Sequence, residues 1–244
     1  MPNWVKNIVT ASEDAMNKIK EKYFTENCLD FNKIIPMPKT LELESGSITS
    51  IAIFYAYICK DDEEKKKIED ILKRAGPYES INKRLQEYKE AGQYKNIYKE
   101  TTNYKPSEIQ KSLNINNLEE LGDTYIRNIE IYGYTTWYEW CIENWGTKWN
   151  ANDFSFNNTT MIFYTAWATP EKIFEKISEE LPNEHIEVKY ADECYSNYNN
   201  GTLTFENGLI EYETELDEDF AAEIWDEEIE NEINQNDITD EMFD

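Results

Sequence analysis

The sequence predicts an α+β fold. Apolar residues recur at helical spacing in some segments and at a period of two in others, and the period-two segments fall in neighbouring pairs around turn residues. Antiparallel strands with helices packed on one face are the layer arrangement that fits this pattern. A length of 244 residues allows a sizeable core, and 40% hydrophobic with 14% aromatic content excludes general disorder.

The elements follow in order. Asn3 to Thr10 reads as a strand carrying Trp4, Ile8 and Val9. Ser12-Glu13-Asp14 supplies a helix cap and an acidic first turn, and Ala15, Met16, Ile19, Tyr23 and Phe24 follow at helical spacing. Leu29 to Ile35 reads as a second strand stopped by Pro36 and Pro38, which completes a β–α–β opening. Residues 47–131 then read as a helical insertion. Its helices are expected at Ile48–Cys59, at Asp61–Arg74 with Glu63–Lys67 and Glu69–Lys73 pairs, at Ser80–Glu90, at Ser107–Ser112 and at Asn117–Ile131. Gly76-Pro77 and Gly92 are expected to break it.

A short helix is expected over Thr135–Asn144, closed by Gly146. Trp149–Phe156 and Thr160–Trp167 alternate around Asn157-Asn158, which predicts a hairpin. Thr169-Pro170-Glu171 opens a helix by cap, first-turn proline and acid, with Ile173, Phe174, Ile177 and Leu181 on its apolar face. His185–Ala191 reads as a strand, and Leu203–Phe205 with Leu209–Tyr212 flank Asn207-Gly208 as a second hairpin.

Trp137-Tyr138-x-Trp140 runs into Asn144-Trp145-Gly146-Thr147-Lys148-Trp149-Asn150-Ala151. Four Trp in thirteen residues could stack rings of a ligand. The favoured reading is a core anchor that docks a helix onto the sheet. The same segment, with Pro2-Asn3-Trp4 before the first strand, resembles the YubB-type ferredoxin-like proteins of phages and plasmids. The resemblance covers about residues 1–40 and 130–212, and departs from the pattern at Val5, where such proteins commonly have Cys. It implies a ferredoxin-like antiparallel core, a mobile-element origin and no catalytic residues. The expected domains are therefore a ferredoxin-like core over 1–46 and 132–213, the helical insertion over 47–131, and an acidic C-terminal helix over 214–244.

Charge is the other informative feature. The net charge is −26, and Ala191–Asp244 holds nineteen Asp or Glu with no Lys or Arg. Phosphate contacts need cations, so the acidic balance argues against direct nucleic-acid binding and equally against attraction to an anionic membrane. Cys28, Cys59, Cys141 and Cys194 lie far apart, with His185 the single histidine, so zinc spacing is absent and no metal or cofactor is expected. Reduced, mostly buried thiols in a cytosol are the expectation, with no signal peptide at Met1–Thr10. No nucleophile stands near His185, which reads as a surface or half-buried residue, and the protein is not expected to be an enzyme.

Asp217–Ile233 can form a helix with Phe220, Ala221, Ile224, Trp225, Ile229 and Ile233 on one side. Nine carboxylates between Asp217 and Glu232 fall largely elsewhere. They span roughly 24 Å of helix, over which one DNA strand carries about seven phosphates. Acids at the C-terminal end also oppose the helix dipole. The candidate partner-binding residues are Asp217, Glu218, Asp219, Glu223, Trp225, Asp226, Glu227, Glu228 and Glu230. The function expected from this is a phage-encoded inhibitor of a host nucleic-acid-targeting defence enzyme. It would mimic nucleic acid or block a basic channel, and its partner would be a basic nucleic-acid-binding host protein such as a CRISPR effector or restriction enzyme. The alternative is a mobile-element accessory that binds a basic host protein without inhibiting it.

Overall fold

The computed structural model describes residues 2–26, 28–74, 103–195, 198–213 and 218–227, with isolated positions at 83, 86, 87 and 90. The chain divides into two units, Met1–Pro36 with Cys141–Asp244, and Met37–Trp140.

The first unit is built on β1 (Trp4–Ala11), β4 (Asn152–Phe156), β5 (Thr160–Ala166), β6 (Ile186–Asp192), β7 (Asn200–Glu206) and β8 (Leu209–Glu213). Its helices are α1 (Glu13–Tyr23), α2 (Phe31–Ile34), α8 (Glu171–Glu180) and α9 (Glu218–Asp226). The strands form one antiparallel sheet in the order β4-β5-β1-β6-β7-β8. Within it, β1-α1-β4-β5-α8-β6 is the β-α-β-β-α-β succession of the ferredoxin-like fold, and β7 and β8 extend the sheet beyond β6. The β7–β8 turn places Asn207 at φ +52° and Gly208 at φ +74°, the two positive angles of a type I′ hairpin.

Alternation along β1 decides what each sheet face carries. Val5, Val9 and Ala11 point to the side where Phe163 stacks on Phe174 of α8 at 6.2 Å. Ala15, Met16 and Ile19 of α1 are fully buried. Asn7 also lies on this side. It donates to Thr165 Oγ1 (2.8 Å) and accepts from Thr169 Oγ1 (2.6 Å), so the one polar residue in the stripe is satisfied. Ile8 lies on the other face and clusters with Ile162, Ala191, Ala221 and Ile224.

Several expectations are corrected here. Residues 29–35 are not a strand. A two-residue ladder, β2 (Phe24–Thr25) with β3 (Cys28–Leu29), leads into α2, because the Asp30 side chain accepts from Asn32 N and Asn150 Oδ1 accepts from Phe31 N. The local Asp30 bond and the distant Asn150 one win together over a run that alternates poorly. Thr169 does not cap α8. Its hydroxyl is committed to Asn7, and Pro170 occupies the cap position without a side-chain bond. The thiols are not mostly buried: Cys141 is, Cys28 is half-buried, and Cys59 and Cys194 are exposed. His185 is exposed and sits 2.9 Å from Glu206.

The second unit contains α3 (Ser47–Cys59), α4 (Asp62–Arg74), α5 (Glu108–Ser112), α6 (Leu118–Tyr132) and a short 3-10 turn at Lys39–Leu41. The division between units falls inside α7 (Trp137–Trp145). α3 and α6 cross closely at Gly122, where an added Cβ would lie 2.1 Å from the carbonyl oxygen of Ala52. The core of this unit gathers Ile53, Phe54, Leu72, Leu121 and Tyr125, and the Tyr125 hydroxyl donates to Glu44 O at 2.8 Å. Glu63–Lys67 pairs at 2.9 Å, as the spacing predicts. Lys73 instead meets Asp70 at 3.3 Å, while Glu69 accepts from the Tyr57 hydroxyl at 2.5 Å. The helix expected over Ser80–Glu90, apart from its isolated positions, and the breaks at Gly76-Pro77 and Gly92 lie outside the described residues.

Candidate partner-binding surface

The acidic helix α9 lies on the sheet face opposite α1 and α8. Its apolar side supplies Ala221 and Ile224, both buried, with Phe220 and Trp225 half-buried beside them. Burying an Ile-sized side chain contributes about 1.5–3 kcal/mol, which a short helix needs to stay formed. The Trp225 indole N–H donates to the carbonyl oxygens of Ala191 (3.2 Å) and Asp192 (3.0 Å). Its ring packs at 5.6 Å from that of Tyr164. Trp225 therefore fastens the helix to β5 and β6.

Lys6 completes the attachment. It stands on β1 and is only 2% exposed. Its Nζ donates to the carbonyl oxygen of Trp225 at 3.1 Å and to that of Glu227. These are orphan carbonyls at the helix C-terminal end, where a cation is favoured. The sequence alone suggested that acids at this end carry an uncompensated dipole cost; the buried ammonium offsets it. Sequence reasoning passed over Lys6. The available signal was a single cation inside the strand Trp-Val-Lys-Asn-Ile-Val.

Asp219, Glu223, Asp226 and Glu227 are exposed. Spaced at i, i+4, i+7 and i+8, they form a row on the side of α9 away from the sheet. The row spans roughly 12 Å. Asp217, Glu228 and Glu230 lie outside the described residues, and Glu218 begins the helix. The structure thus brings four of the nine candidate residues onto one outward row and puts Trp225 on the inward side.

The tryptophan segment is placed separately. Trp140 and Trp145 are buried and Trp149 is exposed. The Trp145 indole donates to Ile35 O at 2.9 Å and meets Phe31 edge-on at 5.8 Å. Trp149 packs near Trp4 at 6.0 Å, with the Lys148 ammonium 4.7 Å above its ring. Trp145 is an anchor, as the core reading expects. Among the described residues no helix is long and apolar enough to cross a membrane, and no group of three or more His, Cys, Asp or Glu is placed to hold a metal ion.

A ferredoxin-like sheet with helices on one face and an acidic helix on the other defines the class of protein. Residues 144–233 match the family described as the ferredoxin-like domain in Api92-like protein. None of the curated proteins compared with the chain matches it. Among solved structures, the crystal structure of a protein Api92 from Yersinia pseudotuberculosis is similar at 10% identity. The match covers 85% of this chain and 95% of that one, with a TM-score of 0.40.

Proposed function

We propose that the protein is a binding module that offers α9 as a fixed anionic ridge to a basic, nucleic-acid-binding protein. In its sharpest form it is an inhibitor, encoded by a phage or another mobile element, of a host defence enzyme such as a CRISPR effector or a restriction enzyme. The observation that carries this reading is the outward row Asp219, Glu223, Asp226 and Glu227 on a helix whose other side is fastened to the sheet. Like charges at i,i+4 cost an isolated helix about 0.2–0.5 kcal/mol per pair. That cost serves no packing purpose here, since apolar burial, Trp225 and Lys6 do the anchoring. Over the roughly 12 Å of the row, one DNA strand carries between about three and four phosphates. The ridge therefore has the charge spacing that a phosphate-binding channel accepts. Fixing it in advance also lowers the ordering cost of binding.

The test is a triple reversal, Asp219→Lys, Glu223→Lys and Glu227→Lys, assayed for inhibition of purified host restriction and CRISPR enzymes. Attraction would become repulsion, and like-charge contact costs several kcal/mol in total. Affinity for the inhibited enzyme should fall about a hundredfold or more, most steeply at low salt. An equally potent triple variant would overturn the reading.

A further inference from the structure

The two edges of the sheet are finished differently. β4 pairs irregularly with β5, shifting register between Asn152 and Ser155 with Asp153 at φ +49°. Such a bulge twists an edge away from new partners. β8 has no such device. It pairs in unbroken register with β7 from Glu206–Leu209 to Thr202–Glu213, and it contains no Pro, Gly or Lys. Leu209 and Tyr212 are 72% and 62% exposed.

The hairpin fixes which backbone groups this edge offers. A two-residue type I′ turn makes Glu206 and Leu209 a hydrogen-bonded pair. Alternation then turns the N–H and C=O of Ile210 and Tyr212 outward, away from β7. Carboxylates flank this row on both sides of the sheet. Glu211 and Glu213 are exposed on one. On the other, the Tyr212 hydroxyl donates to Glu171 Oε2 at 3.2 Å. Partial burial, then the charges of Glu171 and Glu175, push the Tyr212 phenol above its usual range. The chain contains no Lys or Arg after Lys189, so β7 and β8 carry no cation of their own.

The geometry points to the β8 edge as a docking site for an extended basic segment of a partner protein, which adds to the sheet as a further strand. Ile210 and Tyr212 would exchange main-chain bonds with it, while its Lys or Arg side chains meet Glu211 and Glu213 on one face and Glu171 and Glu175 on the other. A second copy of this chain is the wrong occupant, because pairing β8 with itself sets carboxylates against carboxylates. This site deepens the proposed function and rests on its cationic partner.

The probe is a short fluorescent peptide of alternating Lys and Val, capped at both ends, titrated into the full protein and read by anisotropy. A second peptide carries N-methyl groups on alternate residues, which removes the strand-pairing donors and keeps the charge. The unmodified peptide should bind about tenfold or more tightly than the methylated one, and the amides of Ile210 and Tyr212 should slow in hydrogen exchange. Tyr212→Pro removes an outward N–H without touching the β7 ladder, and should weaken the unmodified peptide to the level of the methylated one. If both peptides bind equally, attraction to cations survives and edge docking is overturned. If neither binds, both fail. The methylated peptide needs no variant, so the result stands even if Tyr212→Pro does not fold.

Discussion

Lys6 and Trp225 hold each other's elements from both ends. The Lys6 ammonium, buried under α9, donates to the Trp225 carbonyl at 3.1 Å, while the Trp225 indole donates back to Ala191 and Asp192 on the neighbouring strand. The acidic helix is thus fixed through its main chain and its one indole. The carboxylates of Asp219, Glu223, Asp226 and Glu227 are exposed on the other side, turned to solvent or a partner.

Lys6→Met should therefore loosen α9 and leave the sheet intact. Hydrogen bonds to a charged group contribute about 1.5–3 kcal/mol each when their partners would otherwise be unmet. The expected result is faster amide exchange across residues 220–227 with unchanged protection in β1 and β5. Exchange that stays slow in α9 would show that apolar burial alone holds it.

Gly122→Ala tests the crossing of α3 and α6. Gly to Ala normally stabilises a helix interior by about 0.5–1 kcal/mol. Here the new Cβ would stand 2.1 Å from Ala52 O and 2.7 Å from Ala56 Cβ, so main chain would have to move. Overpacking of that kind costs about 1–3 kcal/mol or more. The sign should reverse, read as a lower denaturation midpoint. A midpoint that rises would mean that the helices separate freely.

Trp145→Ala should lower the melting temperature by several degrees, in line with about 3–5 kcal/mol for truncating a buried aromatic. It loses the bond to Ile35 and the edge contact with Phe31. A variant as stable as the parent but unable to bind a partner would convert this tryptophan from an anchor into a ligand platform.

Burial pushes the Cys141 thiol up to about 12, and burial followed by the charges of Glu44 and Glu120 pushes the Tyr104 phenol to about 12. Both groups stay protonated in the folded protein at pH values where the unfolded chain, with Cys near about 8.5 and Tyr near about 10, has released its protons. The unfolded state then binds fewer protons, so stability is full below about pH 8.5 and is lost as pH rises towards 12. Melting temperatures should hold from pH 7 to about 8.5 and fall from there to 11. In thiol titration at neutral pH, Cys59 and Cys194 should react in the native protein and Cys141 only on unfolding. Rapid native labelling of Cys141 would show that its site opens.

Much of the fold is legible in the sequence because its signals are local. The hairpin at Asn207-Gly208 is set by two residues that accept positive φ, and the strands around it by a period of two. Ser12 caps α1 through Ala15 N, as its position before two acids suggests. The split of α9 into an apolar side and an acidic row is likewise written in the spacing of Asp219, Phe220, Glu223 and Ile224. Where the sequence misleads, a distant group has entered. Asn150, from far along the chain, accepts the Phe31 N–H beside the Asp30 cap of α2, where a strand was expected. Asn7 takes the Thr169 hydroxyl from the cap it was expected to make. Periodicity states that α9 has a side to bury, but not which sheet face receives it. That depends on α1 and α8 already occupying the other face, and on Lys6 reaching carbonyls 219 and 221 residues away. Local sequence determines the elements and the charge. Tertiary structure decides which face each side chain meets, because only packing brings such distant groups within hydrogen-bonding range.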